Sequence, residues 1–180
     1  MREAWNELVL KMEYPSFFMT WEWITMWMEF FGHDYKISIY LGYENDKLSV
    51  IFPLARKRMR LEDGFLKVNV ATLCGALELF PDHLDLICDK GRTSCVEIFL
   101  AHVFDDLLKN TTDIIFLPFL NEQGLLSKWI KDKCPRKKTL TSSLEAPYVI
   151  LENEANHTST KNNRIKRYRK QLIDRKGVTV

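Results

Sequence analysis

Residues 84–117 read LDLICDKGRTSCVEIFLAHVFDDLLKNTTDIIFL, and the changes of period inside this stretch decide the fold. Leu84 to Cys88 is a short apolar run, which predicts a strand, and Asp89-Lys90-Gly91-Arg92 ends it as a loop. Over residues 93–108, Val96, Phe99, Leu100, Val103, Phe104 and Leu107 recur at i, i+3, i+4, i+7, i+8 and i+11. That spacing is one face of a helix laid on a sheet, and Ser94-x-x-Glu97 matches a capping box at its start. From Asp113 to Leu120, the uncharged run Ile114-Ile115-Phe116-Leu117 predicts a central strand buried on both faces.

Working outward, Glu122 to Lys133 predicts another amphipathic helix, with Leu125, Leu126, Trp129 and Ile130 inward and Asn121 as N-cap. Pro135 to Thr141 is a basic loop, Pro147 to Leu151 a last strand of the body, and Glu152 to Thr160 a polar linker. Upstream, Leu66 to Cys74 alternates as a strand, after the basic segment Arg56 to Arg60. Tyr35 to Leu41 and Leu48 to Leu54 flank the turn-like Glu44-Asn45-Asp46 as a β-hairpin, with Pro53 marking an edge or strand exit. Trp5 to Met12 is a short helix closed by Tyr14-Pro15. Ser16 to Phe31 is a second helix, apolar almost all round and ended by Gly32 at C′. Such a helix is buried or lies on a membrane surface. Burial is favoured, because Glu22 and Glu29 are its only charges and anionic lipid would repel them.

The 180 residues suit one domain plus an appendage, and 46% apolar content supplies a packed core. The formal net charge of +2 hides two regions of opposite sign. Residues 157–180 hold eight Lys and Arg against Asp174 alone, net +7, which leaves 18 basic against 23 acidic residues, net −5, in residues 1–156. Cys74, Cys88, Cys95 and Cys134 form no C-x-x-C pair and lack His at zinc-ligand spacing. They read as reduced core thiols, with no metal site expected. No apolar leader follows Met1 and no uncharged span is long enough to cross a bilayer, so a cytoplasmic location without a transmembrane segment is expected.

Two helices, an antiparallel hairpin, a third strand, then strand, loop, capped helix, strand, helix and strand is the element order of the GNAT acyltransferase fold. The expected class is therefore α/β, a GNAT-like mixed sheet flanked by helices with a basic C-terminal helix. Ligand belongs where strand 84–88 turns into helix 93–108, since a helix N-terminus offers unpaired N–H groups to phosphate. GNAT enzymes hold the acyl-CoA pyrophosphate at the equivalent place, in a loop of pattern [R/Q]-x-x-G-x-[G/A]. Cys88-Asp89-Lys90-Gly91-Arg92-Thr93 matches it at Gly91 alone, so Gly91, Arg92, Thr93 and Ser94 are the candidate CoA contacts. The competing reading is an ordinary strand-to-helix turn with a solvated charge cluster.

Pro15-Ser16-Phe17-Phe18 with Trp21 and Trp27, Leu48 to Leu54, Asp82-His83-Leu84-Asp85-Leu86, Pro147 to Leu151, and Arg164 to Leu172 followed by Gly177 to Val180 resemble the CelD-like, FemAB-related tandem acetyltransferase group. The resemblance covers most of the chain. It implies an N-terminal GNAT-like domain over 1–155, then over 156–180 the basic inter-domain helix and first strand of a second GNAT-like domain that binds acetyl-CoA and carries the chemistry. This chain is then the non-catalytic half of an enzyme transferring an acyl group to an amine or hydroxyl acceptor. Its partner would be that second domain or, failing it, another copy covering strand 178–180.

Helix 162–176 presents Arg164, Arg167, Arg169 and Lys170. It reads as a solvated inter-domain helix, an anion-facing wall of a substrate cleft, or a nucleic-acid contact; the acidic body argues against the last. For acid–base chemistry His83, flanked by Asp82 and Asp85, is the candidate, against the plainer reading of a histidine in a polar turn. No G-x-S-x-G, P-loop, H-E-x-x-H or dinucleotide fingerprint occurs. The alternative to an acyltransferase half is a non-enzymatic interaction module on the same fold, its basic tail contacting an anionic partner.

Overall fold

Asn45 and Asp46 sit at φ 49° and 60°, the left-handed pair that closes a two-residue hairpin without splaying its strands. The hairpin joins β1 (Lys36–Glu44) to β2 (Lys47–Arg60), antiparallel from Glu44 opposite Lys47 to Lys36 opposite Arg56, with a register shift at Gly42/Tyr43. In this computed structural model, residues 1–60, 65–91, 94–109, 112–134 and 139–143 are described. The chain divides into two compact units, Met1–Thr139 and Leu140–Val180, and all elements below belong to the first. Strand 147–151, the boundary at 155/156, helix 162–176 with Arg164, Arg167, Arg169 and Lys170, and strand 178–180 lie outside the described residues.

β2 is longer than the sequence predicts. Pro53 does not end it, and Arg56 to Arg60 continue it as strand, paired to β3 (Lys67–Leu73) from Leu54 opposite Leu73 to Arg60 opposite Lys67. The Pro53 carbonyl accepts the Cys74 N–H at 3.1 Å, but the imide nitrogen has no proton to return. Pairing with β3 stops there. Gly75, at φ 83°, turns the chain out of the sheet. It rejoins β2 at β4 (Ile87–Cys88), where Ile87 and Cys88 stand opposite Ile51 and Val50. β3 and β4 thus share one edge of β2 with residues 74–86 looped out between them.

The strand expected over 113–120 forms ladder pairs only at β5 (Ile114–Ile115), parallel to β3 through Val70 and Ala71, plus a bridge from Leu120 to Leu84. Among the described residues the sheet path runs β1-β2-β3-β5, with β5 at its end. Ile114 and Phe116 are partly exposed, so the expectation of a central strand is corrected: β2, fully covered from Ser49 to Ala55, holds the centre. Its two faces meet different helices, because successive side chains point to opposite sides. Tyr40, paired with Phe52, donates its hydroxyl to Asp106 of α3 (Ser94–Lys109) at 2.5 Å. Lys57, of opposite parity, lies over the Tyr35 ring, which packs on Trp27 of α2 (Trp21–Phe31). The result is a mixed sheet flanked by helices.

The helix expected over 16–31 is broken. Phe17–Met19 forms one 3-10 turn, and Thr20 then caps α2, accepting the Trp23 N–H at 3.4 Å. Gly32 ends α2 in a right-handed conformation (φ −61°), not the left-handed one expected at C′; its lack of Cβ instead admits Ile37, whose Cδ1 lies 3.0 Å from where a Cβ would stand. Ile24 and Trp27 are buried, whereas Met26 and Phe30 are exposed, so burial covers one side of α2 only. α1 (Arg2–Leu10) is tied to the 3-10 turn by the Trp5 Nε1–H donating to the Met19 carbonyl at 2.8 Å, and to α2 by Asn6, which accepts the Trp21 N–H at 2.9 Å. None of the four cysteines is in a disulfide, and Cys74 and Cys88 are buried in the core.

Candidate functional site

Where the chain returns from its excursion, three residues with side chains too bulky for comfort adopt left-handed backbone: Phe80 at φ 45°, His83 at 56° and Phe119 at 60°. Each conformation costs on the order of 1 kcal/mol or more and persists only if its surroundings fix it. Here the Phe80 and Phe119 rings meet edge to face at 5.7 Å. The Leu84 N–H donates to the Phe119 carbonyl and the Asn121 N–H to the Leu84 carbonyl, both at 2.9 Å. These contacts clamp the turn carrying Asp82 and His83 to the carboxyl end of β5.

Asp85 completes the clamp. Its carboxylate, 4% exposed, accepts backbone N–H groups from Leu86, Leu125 and Leu126, each at 2.8 Å. Leu125 and Leu126 open α4 (Leu125–Lys133), so a side chain forty residues away supplies its N-terminal cap. The sequence reading, with Asn121 capping a helix from Glu122, is corrected: Gly124 is the N-cap, and a Cβ there would collide with the Asp85 carboxylate. Burial pushes the Asp85 carboxyl above its usual range, against the lowering pull of the three amides and Lys128.

Between this clamp and the segment joining α1 to α2 lies an open cavity of about 510 Å³. Glu13, Tyr14, Pro15, Ser16, Phe17 and Phe18 form one wall; Asp82, His83 and Asn121 form the other. Two of the lining residues, His83 and Asn121, adjoin the parallel bridge between Leu84 and Leu120. Phe18 packs on Trp23 at 4.9 Å and Phe17 on Trp23 at 5.6 Å, which braces the aromatic wall against α2. Several of the cavity's polar groups already have partners. Tyr14 donates to Gln123 Oε1 at 2.9 Å, Ser16 to the Asp82 carbonyl at 3.4 Å, and Asn121 Oδ1 is taken by the Gln123 N–H at 2.9 Å.

His83, the sequence-predicted acid–base candidate, is exposed on this cavity wall. Asp82 shares the cavity with it, while Asp85 points into the fold to cap α4, so the two flanking carboxylates part company. The candidate CoA contacts fare differently. Arg92 and Thr93 lie outside the described residues, as does the side chain of Ser94, which opens α3. Gly91 is exposed, but its N–H donates to Asp89 Oδ1 at 2.9 Å, and the Lys90 N–H donates to the Lys11 carbonyl at 3.1 Å. A pyrophosphate bound at this loop would compete with the Asp89 carboxylate for the Gly91 N–H.

Among the described residues there is no group of three or more His, Cys, Asp or Glu side chains placed to hold a metal, and no helix long and apolar enough to cross a membrane. The aromatic wall is hidden in the sequence because Phe17 and Phe18 read as part of one continuous helix. Thr20, a good N-cap residue inside the apolar run, is the signal that separates them.

No family model and no curated protein matches the chain. Two solved structures are similar over part of it: a mutant of the BH1408 protein from Bacillus halodurans, at 11% identity and TM-score 0.45, covering 68% of this chain and 71% of that one; and the tetramutant of the same protein, at 12% identity and TM-score 0.43, covering 66% and 70%.

Proposed function

We propose that this chain is the N-terminal, donor-independent half of a GNAT-type acyltransferase, and that the transfer of an acyl group from acyl-CoA to an amine or hydroxyl acceptor belongs to a second GNAT-like unit. The observation that carries the reading is the described part of the loop that follows β4, Asp89 to Gly91. The element order around it, an antiparallel hairpin, a third strand, a crossover helix and a parallel strand, resembles that of an acyltransferase fold. Yet Asp89 occupies the Gly91 N–H that a CoA pyrophosphate would need. An Asp89 carboxylate that holds the Gly91 N–H supports the reading of a non-catalytic half, because it disfavours a pyrophosphate at that amide.

Calorimetry and thermal shift with acetyl-CoA on the 180-residue chain test the assignment of donor binding: no saturable binding is expected, and a saturable isotherm contradicts it. Sequencing the source reading frame past Val180 tests the tandem organisation. A second unit carrying a full [R/Q]-x-x-G-x-[G/A] loop is expected, and a native stop codon after Val180 ends the proposal.

A further inference from the structure

The cavity between residues 13–18 and 82–83 is not symmetric toward charge. Its hydroxyls donate to Gln123 and to the Asp82 carbonyl, and the Asn121 carboxamide oxygen accepts the Gln123 N–H. The other residues that line the space include Glu13, Asp82, His83, Phe17 and Phe18, two acidic and two aromatic side chains with one histidine. Glu13 is offset only by Lys128 at 3.8 Å, the outer limit of an ion pair, and Asp82 has no cationic partner among the described residues. Phe17 is 66% exposed, a large apolar surface left in water at the rim. Carboxylates beside an aromatic wall attract one kind of small molecule. A cation gains from both the charges and the ring faces, while an anion is repelled by the charges and gains nothing from the rings.

We infer that this cavity binds a small organic ammonium ion with an apolar body, the charged nitrogen held by Asp82 and Glu13 and the body lying on Phe17 and Phe18. The volume, about 510 Å³, falls within the range of small-molecule sites. The inference stands apart from the acyl-transfer reading, because it follows from the walls of the cavity and requires no acyl donor. The Phe80–Phe119 contact and the Asp85 cap give the site a fixed wall before any ligand arrives, so little ordering cost attends binding.

The test compares three probes of one shape on the full chain by calorimetry: phenethylammonium, 2-phenylethanol and 3-phenylpropionate. Phenethylammonium is expected to bind saturably, about tenfold or more tighter than 3-phenylpropionate, with the preference shrinking at high salt. Asp82→Asn is expected to weaken phenethylammonium binding about threefold to fivefold, as loss of one partly exposed charge should, and to leave 2-phenylethanol unchanged. Phe17→Ala should weaken all three probes. Glu13→Gln serves as a second charge variant at an exposed position, and far-UV circular dichroism confirms that each variant is folded. Equal affinity for the three probes, tighter binding of the carboxylate, no saturable binding of the ammonium, or indifference to both charge variants would each overturn the inference.

Discussion

Replacing Asp85 with alanine should damage the protein more than any other single change to a polar side chain in the described core. The carboxylate accepts three backbone N–H groups at 2.8 Å, and two of their owners, Leu86 and Leu126, are fully buried. A buried donor left without a partner costs about 1–3 kcal/mol, and loss of a helix cap about 0.5–2 kcal/mol. Water can reach the less buried Leu125 amide, and removal of the carboxylate returns part of its own desolvation cost, which brings the net loss to roughly 3 kcal/mol. For a chain of this size that is a fall in Tm of roughly 6–12 °C. Urea unfolding followed by circular dichroism should show the midpoint shifted with the slope unchanged, and the Leu125 and Leu126 amides should exchange faster. A loss under about 1 kcal/mol with those amides still protected would refute the cap assignment.

Asp85→Asn separates charge from shape. Because burial raises the folded carboxyl above the unfolded value of about 3.9, the folded protein binds more protons than the unfolded one between those two values. Stability from this group is therefore greatest below about pH 4 and falls as pH rises through the folded value. The asparagine variant should lack that slope, and a wild-type advantage over it that grows with rising pH would show the sign to be wrong.

Three further changes probe other links. Asp46→Gly relieves a left-handed residue in the β1–β2 turn and should add about 0.5–1 kcal/mol, read as a higher urea midpoint. Glu78 accepts the Trp27 indole N–H at 2.9 Å and the Tyr35 hydroxyl; Glu78→Gln should cost about 1–2 kcal/mol. It should also lower the pH at which Tyr35 ionises, since burial first and Glu78 second hold that phenol above its ordinary range, and a tyrosinate absorbance titration follows it. Tyr40→Phe removes the 2.5 Å bond to Asp106 and should cost about 1 kcal/mol. Burial and Asp106 push the Tyr40 phenol to about 12, so its contribution is intact below the unfolded value of about 10 and is lost as pH rises above it; alkaline unfolding of the phenylalanine variant should lack that step.

What the sequence makes legible tracks how local the cause is. α3 is read from its own period, and the structure places it at Ser94–Lys109 against an expected 93–108. The hairpin is read from Asn45-Asp46 and the strand 67–73 from its alternation. The centre of the sheet is misread because centrality is decided by neighbours: among the described residues Ile114 and Ile115 have β3 alone beside them, whereas β2, with Pro53 and five basic residues, has partners on both edges. The α4 cap is misread for the same reason, since the Asp85 carboxylate arrives from a different part of the chain. The cavity is not legible at all, because Phe17, His83 and Asn121 become neighbours only through the loop that separates β3 from β4.

That loop follows from two residues. Pro53 can accept from Cys74 but cannot donate back, so the ladder between β2 and β3 has no next bond to make. Gly75 then supplies the backbone conformation, φ 83°, that carries the chain away from the sheet and under α2; a Cβ there would stand 3.2 Å from Trp23 Nε1. The chain comes back only by way of Phe80 and His83, whose strained backbones are held by the Phe119 contact and by the Leu84–Leu120 bridge. A proline that would be a defect in the middle of an ordinary strand is here the reason the sheet opens. The opening in turn gives Asp82 and His83 a position facing Phe17 and Phe18 instead of a place in the ladder.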